Sequence, residues 1–195
     1  MNHILLLASA SPRRKQLLKQ IDLSFGVVPS NVNEDFSLEL NPSDFVEHYA
    51  KAKTMDISKK YPDSLVIGAD TIVVIGKKIL GKPKDRNESF KMLSSLSGQT
   101  HSVFTGVSIQ CQSKDIGVTF HDKTNVTFNT LNHDDICYYI DTYRPYDKAG
   151  SYGIQDWFSV CVQRIDGCFY NVMGLPLSKF YQKFKHCEKQ FNSSL

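Results

Sequence analysis

Between Leu65 and Ile75 the chain reads Leu-Val-Ile-Gly-Ala-Asp-Thr-Ile-Val-Val-Ile, an apolar, largely β-branched run broken in its middle by one carboxylate. A run of this kind makes a strand, and apolar residues on both of its faces require cover on both sides. Gly76-Lys77 then reads as a hairpin turn into a short return strand over Lys78–Leu80. Ile4–Ala8 is a second continuous apolar run and is expected to be a buried first strand. Ile4-Leu5-Leu6-Leu7-Ala8-Ser9-Ala10 also imitates a short signal-peptide core. No Lys or Arg precedes it, the apolar run is short, and Arg13-Arg14 follow, so the strand is the better reading.

Helices alternate with these strands. Ser11 can cap a helix that has Pro12 in its first position, with Leu17, Leu18 and Ile21 facing inward. A strand through Phe25–Val28 and an acidic loop over Asn33–Leu40 follow. Asn41-Pro42 opens a second helix, to about Lys60. Asp85 or Asn87 caps a third, ended by Ser97-Gly98. His101–Gln110 and Val118–Phe128 alternate like paired strands. A fourth helix starts at Asn132, Asp134 and Asp135, with Ile136, Tyr139, Ile140 and Tyr143 on one face. Asp166-Gly167 predicts a hairpin between Phe158–Ile165 and Cys168–Met173. Leu175–Cys187 is expected as a closing helix, with a fraying Ser-rich tail. No repeat or linker interrupts the pattern, which is α/β with a mixed sheet in one domain over residues 1–195.

Composition narrows the function classes. A net charge of +3 is too mild for bulk nucleic-acid binding, yet it suits a small anionic ligand. No run approaches the roughly 20 apolar residues needed to span a bilayer. Five cysteines without a CxxC pair argue against a disulfide framework or zinc ribbon, and for reduced thiols in the cytoplasm.

Five segments could carry chemistry. In Ala8-Ser9-Ala10-Ser11-Pro12-Arg13-Arg14 a strand gives way to a helix whose first turn bears two arginines. Helix N-termini suit phosphate, and the arginine fork matches its oxygens; a capped helix with two solvated arginines has the same look. Lys53 falls on the apolar stripe Val46, Ala50, Ile57, where it must either snorkel or meet an anion. Asp70 sits inside the apolar strand, a costly place unless it is paired, binds metal or works as a base. Gly68-Ala69 before it leaves room for a ligand to approach the backbone, and Glu34 or Asp35 could add a second carboxylate. Gly76-Lys77-Lys78-Ile79-Leu80-Gly81-Lys82 fits GxxxxGK. Pro83 stands where a P-loop needs Ser or Thr, so a P-loop is excluded and Lys82 remains as a single phosphate contact. Finally, Asp147–Gln155 has two glycines that let backbone approach a flat ligand. Its Gln155 amide could read a base edge, although an ordinary connecting loop looks the same.

Taken in order, these segments resemble the Maf family of nucleoside triphosphate pyrophosphatases. The matching stretches are Leu7–Arg14, Ala50–Thr54, Gly68-Ala69-Asp70-Thr71, Lys82-Pro83, Leu96–His101, Asp147–Gln155 and Val172-Met173-Gly174-Leu175-Pro176, from residue 4 to about residue 180. Lys148–Gln155 resembles the branch acting on dTTP and UTP. The resemblance implies an elongated mixed sheet flanked by helices, two lobes with a central cleft, and similarity to inosine triphosphate pyrophosphatases. It also implies cleavage between the α and β phosphates, giving a monophosphate and pyrophosphate. By the same likeness Asp70 is the proton acceptor. Arg13, Thr71 and Gln155 take part in base selection, and Ser9, Arg14, Glu34, Lys53 and Lys82 line the polar cleft. A divalent cation, Mg2+ or Mn2+, is implied at Glu34 and Asp70. Dimers are frequent in the family, so a homodimer is an expectation; a nucleic-acid or membrane partner is not.

Three positions depart from the family pattern: Gln16 and Asn33 replace acidic residues, and Asp156 replaces a glycine. A carboxylate beside Gln155 could favour an amino-bearing base. Two other functions compete, a purine or modified-nucleotide pyrophosphatase and a nucleotide-binding regulator of cell division without turnover. The loop around Gln155 argues against the first, and the retained Asp70 and lysines argue against the second.

Overall fold

The computed structural model describes residues 5–193. Seven strands form one mixed sheet: β1 (Leu5–Leu7), β2 (Gly26–Val27), β3 (Leu65–Ile75), β4 (Lys78–Leu80), β5 (Thr100–Cys111), β6 (Ile116–Phe128) and β7 (Val162–Asp166), in the order β2-β1-β3-β5-β6-β7 with β4 paired to β3. Parallel pairing sets Leu5, Leu6 and Leu7 opposite Leu65, Val66 and Ile67, and β1 also runs parallel to β2. β3 and β4 are antiparallel, as the Gly76-Lys77 turn predicts. β1 is the first strand expected over Ile4–Ala8, of which Ile4 lies outside the described residues.

The helices start where the caps predict. α1 (Pro12–Gln20) has Pro12 in its first turn and Ser11 Oγ accepting from the Arg14 N–H. α2 (Pro42–Ser58) is capped by Asn41, α3 (Arg86–Leu96) by Asp85 and α4 (His133–Tyr143) by Asn132. α5 (Phe169–Met173) is short, and α6 (Leu177–Ser193) closes the chain. Thus the last helix outruns its expected end at Cys187, because Phe191 still finds a buried site one turn later.

The predicted hairpin across Asp166-Gly167 does not form. β7 pairs with β6 instead, Val126 facing Ile165, and residues 169–173 coil into α5. Thr124 on β6 explains the switch. Its hydroxyl donates to the Cys168 carbonyl at 3.0 Å and accepts from the Cys168 N–H and the Asn171 amide, both at 3.0 Å. The buried Asn171 amide also reaches the Val103 carbonyl at 3.1 Å. Helical backbone brings Cys168 and Asn171 to one threonine; a returning strand would carry them apart. Upstream, the expected strand from Phe158 begins only at Val162. Asp156 caps a 3-10 turn over Trp157–Cys161.

The chain divides into two compact units. One holds residues 5–70, 105–122 and 174–193, and the other holds residues 71–104 and 123–173. In the first, Leu6, Ala8, Ile57 and Val66 form a core cluster joined by Val28. The second is centred on rings: Phe128 meets His101, Tyr152 and Phe158 at centroid distances of 4.6, 4.8 and 4.9 Å. All five cysteines are free thiols. Among the described residues no helix is long and apolar enough to cross a membrane.

Candidate active site

In the first unit α2 organises the charged residues. It lies so close to β3 that a Cβ on Gly68 would stand 2.8 Å from the Ala50 carbonyl and strike the Thr54 hydroxyl. Gly106 on β5 faces the Val46 backbone in the same way. The space at Gly68 is therefore filled by α2, and the expectation that it admits a ligand is wrong. Close helix–strand packing is what lets Lys53 reach Asp70, two residues beyond Gly68 on the same strand face.

Lys53 meets anions, as one of the two sequence readings required. Its Nζ donates to Glu34 Oε1 at 2.5 Å and to Asp70 Oδ1 at 2.7 Å. The Lys53, Glu34 and Asp70 side chains are 13%, 25% and 6% exposed, so the ammonium links one buried carboxylate to one that reaches solvent. Asp70 Oδ2 is buried with no hydrogen-bond partner. A buried carboxylate oxygen left open is costly, and it marks a place for a proton, a water or a cation.

α2 also holds the loop that carries Glu34. Tyr49, one turn before Lys53, uses its hydroxyl to accept from the Asp35 N–H at 2.6 Å and to reach the Asp35 carbonyl at 3.3 Å. Asp56 accepts from Ser30 Oγ at 2.9 Å and from the Asn31 N–H at 3.2 Å. Tyr49, Lys53 and Asp56 thus lie at i, i+4 and i+7, all gripping one loop. Sequence reasoning missed Tyr49. A phenol on an otherwise apolar stripe was the available signal.

Ser9 and Arg14 complete the cluster. Arg14 Nη1 donates to Ser9 Oγ at 3.2 Å, and Nε donates to the Gly174 carbonyl at 2.8 Å. The Met-Gly-Leu-Pro stretch therefore supplies a guanidinium clamp, a role its residue types did not reveal. Desolvation lowers the Arg14 pKa to about 10. Asp70 opposes that shift, Arg13 adds to it, and Glu34 opposes it. Arg14 still carries its charge at neutral pH, in electrostatic reach of both carboxylates. Arg13, one position earlier on α1, is half-buried.

Glu34 and Asp70 offer hard oxygen donors. Among the described residues no group of three or more His, Cys, Asp and Glu side chains gathers to hold a metal ion. The two carboxylates, drawn together on Lys53, fit Mg2+ or Mn2+ of the kind that takes its remaining ligands from phosphates and water.

The other predicted positions belong to the second unit. Thr71 follows Asp70 on β3 and is half-buried, while Lys82 and Gln155 are exposed. The segments carrying these last two are joined, since the Gly150 N–H donates to the Gly81 carbonyl at 3.0 Å. Asp156 does not present a free carboxylate beside Gln155. Its Oδ1 accepts from the Phe158 N–H and its Oδ2 from the Tyr139 hydroxyl, both at 3.1 Å, so the expected pull toward an amino-bearing base has no structural basis.

A family model described as Maf-like protein matches residues 4–187. A dTTP/UTP pyrophosphatase of Thermosipho africanus is 48% identical over 177 residues, covering 91% of this chain and 90% of its own length. A dTTP/UTP pyrophosphatase of Bacillus pumilus is 47% identical, covering 90% of this chain and 92% of its own. Among solved structures, the Staphylococcus aureus Ham1 protein aligns at 17% identity and a TM-score of 0.44, over 64% of this chain and 71% of that one.

Proposed function

The chain belongs to the Maf family, and from that premise we propose that it hydrolyses dTTP and UTP to the nucleoside monophosphate and pyrophosphate. The observation that carries the reading is Asp70: one oxygen is fixed by Lys53 and the other is buried and open. A carboxylate held in this way has one defined place to receive a proton. Identities of 44–48% with dTTP/UTP pyrophosphatases, over nine-tenths of the chain or more, support the substrate class.

Water attacks the α phosphorus, the bond to the bridging oxygen of the β phosphate breaks, and pyrophosphate leaves. Asp70 Oδ2 takes the proton of the attacking water. Lys53 keeps Asp70 and Glu34 in register while their charges are partly neutralised. Arg14, clamped by Ser9 and the Gly174 carbonyl, offers a pre-oriented cation to the phosphates, so the clamp costs little ordering on binding. Mg2+ or Mn2+, held by Glu34 and Asp70, would offset phosphate charge when bound. Lys82 serves as a further phosphate contact, and Arg13, Thr71 and Gln155 serve base selection. The Gln155 amide can pair with the O4 and N3–H edge common to uracil and thymine.

The test is product analysis by 31P NMR on dTTP, UTP, CTP, ATP and GTP with Mg2+. Equimolar monophosphate and pyrophosphate, formed fastest from dTTP and UTP, is the expected result. Diphosphate with inorganic phosphate, or a purine preference, overturns the reading.

A further inference from the structure

One buried polar pair takes no part in the chemistry above. His101 on β5 is 2% exposed and packs edge-on against Phe128 and Tyr152. Its Nε2 lies 2.9 Å from the Tyr152 hydroxyl, while its Nδ1 is buried without a hydrogen-bond partner. Burial lowers the imidazole to about 4 and pushes the Tyr152 phenol well above its usual range, so both are neutral. If the phenol donates to Nε2, only the Nδ1 hydrogen goes unmet. The reverse arrangement leaves the phenol hydrogen and the Nδ1 lone pair unmet together. The first is therefore favoured, and a core that accepts even that cost needs the bond for something beyond filling space.

Tyr152 stands in a segment fastened at nearly every residue. Gly150, at φ +65°, sits against Val73 where a side chain would not fit, and its N–H bonds to Gly81. Ser151, at φ +64°, is fully buried and bonds through its hydroxyl to Ser89 on α3. A non-glycine residue in this backbone region persists only where its surroundings impose it. The Gly153 N–H donates to the Tyr139 hydroxyl at 2.9 Å, and Ile154 is buried. Gln155 is the exposed residue between Ile154 and the anchored Asp156. The bracket thus fixes its own backbone and leaves a single amide outward.

We propose that His101 is a positioning residue for base selection: through the Tyr152 hydroxyl it holds the backbone that presents Gln155. The inference rests on the assignment of Gln155 to the pyrimidine base. An apolar pair could fill the same volume, but a hydrogen bond selects one geometry for the bracket.

The test uses Tyr152→Phe, which removes only the hydroxyl, with His101→Leu and His101→Gln. Binding of α,β-imido analogues of dTTP and GTP is measured by calorimetry, alongside steady-state kinetics. Tyr152→Phe and His101→Leu should reduce the preference for dTTP over GTP about 5- to 10-fold, the effect of one lost hydrogen bond. The change should appear as a raised KM and Kd for dTTP, with kcat within about twofold. His101→Gln, with an amide group near the place of Nε2, should recover most of the preference. Equal weakening of both analogues, or an unchanged preference in a folded Tyr152→Phe, overturns the positioning role. Should His101→Leu fail to fold, Tyr152→Phe decides alone. A wild type without pyrophosphatase activity defeats the proposed function instead, and the two titrations still decide this inference.

Discussion

Lys53→Met removes an ammonium and keeps most of the apolar stem. The ammonium bonds to both Glu34 and Asp70. Breaking a fully buried ion pair by deleting one partner costs about 3–5 kcal/mol, because a charge is left without compensation. Here Asp70 is buried but stays in electrostatic reach of Arg14, and Glu34 is 25% exposed and can turn to water. The loss should therefore come to about 2–3 kcal/mol. Urea denaturation measures it, with the slope unchanged if the fold is kept. The decisive comparison adds Asp70→Asn to Lys53→Met. With the stranded charge gone, the double variant should be more stable than Lys53→Met by about 1–2 kcal/mol. A Lys53→Met protein within about 0.5 kcal/mol of wild type, or a double variant no better than the single, would refute the claim that Lys53 compensates Asp70.

The helix–strand contact gives a second outcome. Gly68→Ala forces a methyl toward the Ala50 carbonyl and Thr54, and should cost about 1–3 kcal/mol and lower turnover. Gly117→Ala, where a Cβ meets nothing within 4 Å, should be neutral in both denaturation and activity. Tyr49→Phe loses the grip on Asp35 and should cost about 1 kcal/mol while raising KM through the loosened Glu34 loop. His101 makes stability depend on pH. Its pKa falls from 6.5 unfolded to about 4 folded, so the unfolded chain binds the proton first and stability drops as pH falls between those values. That component is about 3 kcal/mol and should be missing from the pH profile of His101→Gln, read as the difference from wild type.

Much of this was legible in local sequence. Leu65–Ile75 and the Gly76-Lys77 return were found at their observed limits, and the caps Ser11, Asn41 and Asn132 sit where short polar side chains precede helical stripes. Asp70 and Lys53 betrayed themselves by polarity at apolar positions. What stayed hidden depends on distant partners. Thr124 holds Cys168, just before α5, and Asn171 within it from 44 and 47 residues away, overriding a sound hairpin signal. Arg14 finds the Gly174 carbonyl 160 residues along the chain. Gly68 looked like room for a ligand because its spacing cannot say that α2 already occupies the space.

Asp70→Asn is the most direct test of the central claim, that the open oxygen of Asp70 accepts the proton of the attacking water. The exchange keeps shape and removes the charge. Turnover of dTTP with Mg2+, followed by pyrophosphate release, should fall by about 100-fold or more, while circular dichroism and thermal unfolding show an intact fold. Wild-type turnover in a folded Asp70→Asn protein would contradict the account.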